Sequence, residues 1–266
     1  MKRKILIIAV TFLFVLTTAI GMVGCYGIHG GDSVTGSQNL ETREFTFSDF
    51  TRIEVSAPFE VEISRSDIYR VSVTSNENLF DYIEVTQSGD TLRLRLEPFI
   101  SFRHTTFQAT ITMPELNSLE LSGASSTEMG EFQTTSDVDI NVSGASRLTI
   151  TSLQVSGITM DISGASRAYG FVQAEVAKFN VSGVSNLELS GLAVAANLEV
   201  SGVSSLKLQD FRILNASVNI SAASNGIIEV NGRLDLEVSG ASSLTYSGDP
   251  TLGRVEVSGA SSLHRQ

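Results

Sequence analysis

A five-residue pattern recurs eight times from residue 121 onward at an almost fixed interval, and it limits the possible folds more than any other feature. The copies are Leu121-Ser122-Gly123-Ala124-Ser125, then Val142–Ser146, Ile162–Ser166, Val181–Ser185, Val200–Ser204, Ile220–Ser224, Val238–Ser242 and Val257–Ser261. Their first serines stand at 122, 143, 163, 182, 201, 221, 239 and 258, so successive steps are 18 to 21 residues. A fixed period of this length marks a stacked repeat architecture. Within one unit, Leu198 and Val200 alternate with Glu199, and Leu206 and Leu208 alternate with Lys207, the two-residue period of half-buried strands. Two short strands around a glycine corner, then a variable turn such as Gln209–Arg212, make one coil of a parallel β-solenoid. Equivalent residues then stack at the strand spacing, and eight coils make a rod of about 40 Å. A sandwich or meander of hairpins is the alternative all-β reading. Near-identical strands at a short fixed period favour the solenoid, where like residues lie on like residues.

Stacking makes the pattern chemically legible. The corner is Gly in seven units and Ala222 in one, so a positive φ there is favoured without being obligatory. The next position holds only Ala or Val, which predicts a cramped, inward-facing corner. The flanking serines are expected to hydrogen-bond from coil to coil or to satisfy backbone groups at the bend. A polar stripe for a ligand is the other reading of the serines, and their recurrence in every coil favours the structural one.

The chain begins with the basic run Met1-Lys2-Arg3-Lys4 and an apolar stretch from Ile5 to Ile20. That is the shape of a secretory leader. Met22-Val23-Gly24-Cys25 then leads into the only cysteine, and resembles the lipobox of bacterial lipoproteins. The resemblance implies cleavage after residue 24, diacylation of Cys25 and anchoring to a lipid bilayer through it. Two acyl chains hold a protein on a membrane stably where one does not. An ordinary secretory leader with an incidental cysteine, or an uncleaved anchor, are the alternatives. Tyr26 is not the aspartate that argues for inner-membrane retention, so the expected location is the cell envelope, on the outer membrane if the source is Gram-negative. Residues 25–40 are Gly-rich and polar, a predicted tether. A net charge of −11 and a pI near 4.7 argue against nucleic acid and against a surface that seeks anionic lipid.

From 41 to 115 the chain reads as a β-rich N-terminal part, with Ala57-Pro58 and Ser88-Gly89-Asp90 as turn signals. Eight of the fourteen phenylalanines lie between 45 and 107 and four lie after Pro114, which places the boundary with the repeats (116–266) near that proline. The ordered segments Phe50–Val55, Phe59–Ile63, Val71–Val73, Ile83–Val85, Gly89–Leu92 and Ile111–Leu116, followed by the repeated Ser-Gly-Ala-Ser, resemble a known family. It is the "putative auto-transporter adhesin, head GIN domain" family, a domain of unknown function. The likeness spans about 50 to 262. It implies an all-β fold with a right-handed parallel β-helix (solenoid) and a role at the cell surface. Only Ser262-Leu263-His264-Arg265-Gln266 follow the last repeat. The acyl anchor is therefore expected to serve where a C-terminal translocator otherwise would.

The residues offer little convergent chemistry. His29, His104 and His264 are far apart, with no partner at metal-ligand spacing. No Gly-x-Ser-x-Gly elbow occurs, and no cofactor or metal is expected. Asp137, Asp139 and Asp161, with Arg147 and Arg167 in adjacent coils, come nearest to a cluster. Solvated outward charge accounts for them most simply. Arg147, Arg167 and Asp161 are the candidate contact stripe. A carbohydrate-active enzyme on a β-helix (a polysaccharide lyase or hydrolase) requires Asp137, Asp139 and Arg167 around one groove. The expected function is a non-catalytic envelope lipoprotein whose β-helical surface binds a glycan, a protein or a second copy. The enzyme and an envelope assembly or stress factor stand as alternatives. The last corner lies near the end of the sequence, and an open edge there would favour a homo-oligomer.

Overall fold

The structure, a computed structural model, describes residues 33–266. The predicted leader at 1–24, Cys25, His29 and the tether before residue 33 lie outside the described residues. Four long bent strands form the centre: Arg147–Ile162, Arg167–Val181, Asn186–Val200 and Ser205–Ile220. Each runs nearly once around the molecule and pairs in parallel with the next. Leu148, Ala168, Leu187 and Leu206 share one register position, and Ile162, Val181, Val200 and Ile220 share another. The eight corners, seven Ser-Gly and one Ser-Ala, therefore stack in a parallel β-solenoid of about seven turns. Each rung buries its apolar side chains against the rungs above and below, with no globular centre.

The corners keep the ladder intact. Ser182 N–H donates to Ile162 C=O (2.9 Å), Val184 N–H to Gly164 C=O (2.8 Å) and Asn186 N–H to Ser166 C=O (3.0 Å). The seven corner glycines have φ between 72° and 81°, and Ala222 has φ 65°. Space as well as conformation selects glycine there. A Cβ on Gly183 would stand 2.5 Å from the carbonyl oxygen of Gly164.

Two details of the repeat differ from the sequence reading. The Ala/Val position points outward: Val184 is 64% and Val203 63% exposed. The second serine takes the inward place instead, and Ser125, Ser146, Ser166, Ser185, Ser204, Ser224 and Ser242 are all buried. The two-residue alternation passes through the corner without a phase change, so Val200, Ser204 and Leu206 face in and Val203 faces out. In several coils the serine hydroxyl meets the backbone of the coil below: Ser204 Oγ donates to Gly183 C=O (3.3 Å) and Ser185 Oγ to Gly164 C=O (3.4 Å), whereas Ser146 and Ser166 Oγ are buried without a partner among the described residues. Second, Gln209–Arg212 is not a turn that leaves the sheet. Phe211 and Ile213 are buried and pair with Gly191 and Ala193 of the previous coil, after a register shift between Glu188 and Ser190. These residues form a third side of the coil, where Phe211 lies 5.8 Å from Phe179 in an edge-on arrangement.

The same stacking continues into the N-terminal part. Arg52–Val55 and Glu60–Arg65 flank Ser56-Ala57-Pro58 and lie in parallel register under Ser118–Leu121 and Ser126–Gln133. Thr91–Leu96 and Phe107–Met113 make one further parallel rung. Beyond it the direction reverses. Ile83–Ser88 runs antiparallel to Thr91–Leu96, Arg70–Asn76 antiparallel to Phe107–Met113, and Leu40–Phe45 antiparallel to Arg70–Asn76. This end is filled by aromatic pairs, Phe59 with Phe107 (5.5 Å), Phe102 with Phe107 (5.5 Å) and Phe50 with Tyr69 (4.9 Å), and by Leu79 and Phe80 of the 3-10 turn Glu77–Tyr82. Ser33–Thr35, expected in the tether, is a strand paired with Ser101–Arg103. At the opposite end Thr251–Val257 and Ser262–Arg265 form the last rung, with Leu252, Val255 and Val257 exposed.

Candidate interaction surface

Stacking turns every outward residue into a column, so the surface beside the corners is ruled in straight lines. The exposed ridge is the Ala/Val column, crowned by Val184 and Val203. On one flank the column reads Glu120, Asn141, Asp161, Asn180, Glu199, Asn219, Glu237 and Glu256. Carboxylates and amides alternate along most of it. Like charges one strand spacing apart repel, and an interposed amide removes that repulsion while donating to its neighbour. Asn180 Nδ2 lies 2.5 Å from Asp161 Oδ1 in this way.

The other flank carries Ser126, Arg147, Arg167, Asn186, Ser205 and Asn225. Arg147 and Arg167 are direct register partners, both exposed, and neither forms an ion pair among the described residues. They make a cationic spot on an acidic protein, with Tyr169 two residues further along the same face. One column over, Lys207 Nζ meets Glu188 Oε2 at 3.3 Å.

The structure thus brings Arg147 and Arg167 together and sets Asp161 across the corner ridge from them. Asp139 lies in the strand Val138–Val142, on the same side of the ridge as Asp161, and Asp137 lies against Gly157. Asp137, Asp139 and Arg167 therefore do not surround one groove, because the stacked bends Ser143–Ser146 and Ser163–Ser166 lie between the two carboxylates and the arginine. No group of three or more His, Cys, Asp or Glu side chains among the described residues is placed to hold a metal ion. His104 belongs to the capped end and His264 to the last rung.

Two features escaped the sequence reading. The amide–carboxylate alternation falls two residues before the first serine of each repeat, a fixed offset at which it was legible. The second is an apolar cluster on the third side, Val176, Leu192, Val194 and Leu214, all substantially exposed on successive coils. At the capped end an open cleft of about 860 Å³ is lined by Ala57, Pro58, Leu96, Pro98, Phe99 and Phe107, among others.

Apart from Tyr69, whose hydroxyl pKa is raised chiefly by burial, electrostatic perturbation belongs to ion pairs. Hydrogen bonding from Arg93 holds the Glu54 carboxyl below its ordinary range, with a smaller contribution from Arg95. Asp235 is lowered to about 2, first by Arg233 and then by the backbone N–H of Arg254.

A parallel solenoid with a closed antiparallel end places the protein in the class of parallel β-helical proteins. The profile of the family described as "Putative auto-transporter adhesin, head GIN domain" matches residues 49–250, and the chain belongs to that family. Among solved structures it is similar to a putative lipid binding protein from Parabacteroides distasonis ATCC 8503 (22% identity, TM-score 0.73, covering 88% of this chain and 100% of that one). It is also similar to a putative adhesin from the same organism (16%, TM-score 0.79, 88% and 100%). A putative adhesin from Parabacteroides merdae ATCC 43184 is a further likeness (17%, TM-score 0.75, 88% and 99%). At these identities the likenesses establish the fold. No curated protein sequence matches the chain.

Proposed function

We propose that this protein is a non-catalytic lipoprotein of the cell envelope, held to a bilayer through acylated Cys25, that binds a ligand along the corner ridge of its solenoid. The observation that carries this reading is the ridge itself. Val184 and Val203 stand exposed in a straight apolar line between a hydroxyl- and arginine-bearing flank and an amide–carboxylate flank. The line repeats at the strand spacing of about 4.8 Å. A regular array of this kind suits an extended partner such as a glycan chain or a protein segment, since each repeat offers the same contact at the same distance. The fold family, whose description names an adhesin, supports the same reading.

The test is binding to a glycan array and to solubilised envelope proteins by the parent and by a V184D/V203D variant. Ligands captured by the parent and lost by the variant are the expected result. An identical profile for both proteins would remove the ridge from the account. Self-association is a second mode, favoured by the exposed Leu252, Val255 and Val257 of the last rung. Sedimentation of acyl-free protein as a monomer throughout the micromolar range would exclude it.

A further inference from the structure

The loop Glu97–Ile100 carries the least expected side chain on the molecule. Phe99 is 98% exposed, and its backbone is left-handed with φ 67°, a conformation that L side chains avoid. Pro98 precedes it and Ile100 follows it. An isolated phenylalanine in water at a strained position contributes nothing to the packing of the solenoid. Its place on the rod gives it a partner.

The loop leads directly into Ser101–Arg103, the strand that pairs in parallel with Ser33–Thr35. Ser33 stands beside Ser101, and Phe99 is two residues upstream of Ser101, so Phe99 lies within about 12 Å of Ser33, where the described residues begin. That point is fixed by side chains and backbone. Gly36 N–H donates to Arg103 C=O (3.0 Å), Asn78 Nδ2 to Thr35 C=O (2.9 Å) and Ser37 N–H to Asn78 Oδ1 (2.7 Å). Ser33 is eight positions along the chain from Cys25, a reach of at most about 28 Å. The charged neighbours Arg95, Arg103, Glu84 and Glu97 are balanced in sign, so the tip has no built-in preference for anionic lipid.

We infer that the Pro98-Phe99-Ile100 tip enters the interface of the bilayer to which the tether holds the protein, and sets the rod with its capped end down and its corner ridge pointing away from the membrane. The inference rests on the reading of Cys25 as the anchor. One aromatic and one aliphatic side chain suffice as a second contact, because the tether supplies a high effective concentration of lipid surface.

The chain has no Trp, so Phe99→Trp creates a single fluorescent reporter. The protein from Tyr26 onward, with a hexahistidine in place of residues 1–25, is attached to phosphatidylcholine vesicles containing a nickel-chelating lipid. F99W emission is expected to shift to the blue and to be quenched at least about twofold when the vesicles carry brominated acyl chains, as for a residue at the membrane interface. An L252W reporter at the other end of the rod is expected to show neither effect. Equal behaviour of the two reporters would overturn the inference. Acylation is read separately, from the intact mass of the native protein in the envelope and its change in C25S. An unmodified Cys25 would overturn the anchor reading even if F99W is quenched. Absent quenching beside an acylated Cys25 would overturn the tip alone.

Discussion

Ala222 occupies a slot that seven other coils fill with glycine, and replacing it tests how the corners are held. Its φ of 65° lies in the left-handed region, which costs an L residue roughly 1–2 kcal/mol relative to glycine. Glycine in turn loses about 0.4–1 kcal/mol through the greater freedom of the unfolded chain. The difference predicts that Ala222→Gly stabilises the protein by about 0.5–1 kcal/mol. The reverse change at Gly183 is more severe than the mirror image of this. Besides adopting φ 77°, the new Cβ would stand 2.5 Å from the Gly164 carbonyl oxygen, and the forced backbone shift adds about 1–3 kcal/mol. Gly183→Ala is therefore expected to destabilise by about 2–3 kcal/mol. Urea unfolding followed by circular dichroism, at constant m, reads both. A222G less stable than the parent, or G183A within about 0.5 kcal/mol of it, would refute the argument that these corners are selected by φ and by the carbonyl of the coil beneath.

Three further outcomes follow from the same geometry. Ser204→Ala removes the hydroxyl that donates to Gly183 C=O and is expected to cost about 0.5–1.5 kcal/mol in the same unfolding assay. Val203→Asp, one residue earlier but exposed, is expected to change stability by no more than about 0.5 kcal/mol, and a larger loss would return Val203 to the interior. Glu54 is depressed in the folded protein by Arg93, so its contribution is present above its ordinary value of 4.5 and is lost as pH falls through the lower folded value. Melting of Glu54→Gln is accordingly expected to depend less steeply on pH below about 4.5 than that of the parent, and parallel acid limbs would contradict this.

Much of the architecture was legible because stacking forces equivalent positions to carry equivalent residues. All eight corners, their glycine preference and the buried Leu and Val pairs on either side could be read from the period alone. The Ala/Val position was misread as inward because a small apolar residue beside a hydroxyl looks like the one that is buried. The serines, expected to satisfy backbone groups at the bend, do so from the inside at Ser125, Ser185, Ser204 and Ser224, where a backbone carbonyl of an adjacent coil accepts from the hydroxyl. The third side was missed because the register shift between Glu188 and Ser190 breaks the alternation, leaving Phe211 as an isolated aromatic between polar residues. The antiparallel end depends on pairings such as Arg70–Asn76 with Phe107–Met113, over thirty residues apart, which no local pattern encodes. Of the candidate stripe, the adjacency of Arg147 and Arg167 was legible from the repeat. The separation of Asp161 from them was not, because it depends on which residues form the bend. Phe99 gave no signal at all, since a lone phenylalanine in a sequence reads equally as core.

The most direct test of the stacked architecture is a set of distances along the corner ridge. Spin labels are placed in pairs at exposed ridge positions, Ala145 with Ala165, Val184, Val203, Ala223 or Ala241, with Cys25 replaced by serine. Backbone separations that lengthen steadily by about 4.8 Å for each added repeat are expected. Separations that rise and fall along the series, as antiparallel hairpins would give, would contradict the solenoid and the ruled surface built on it.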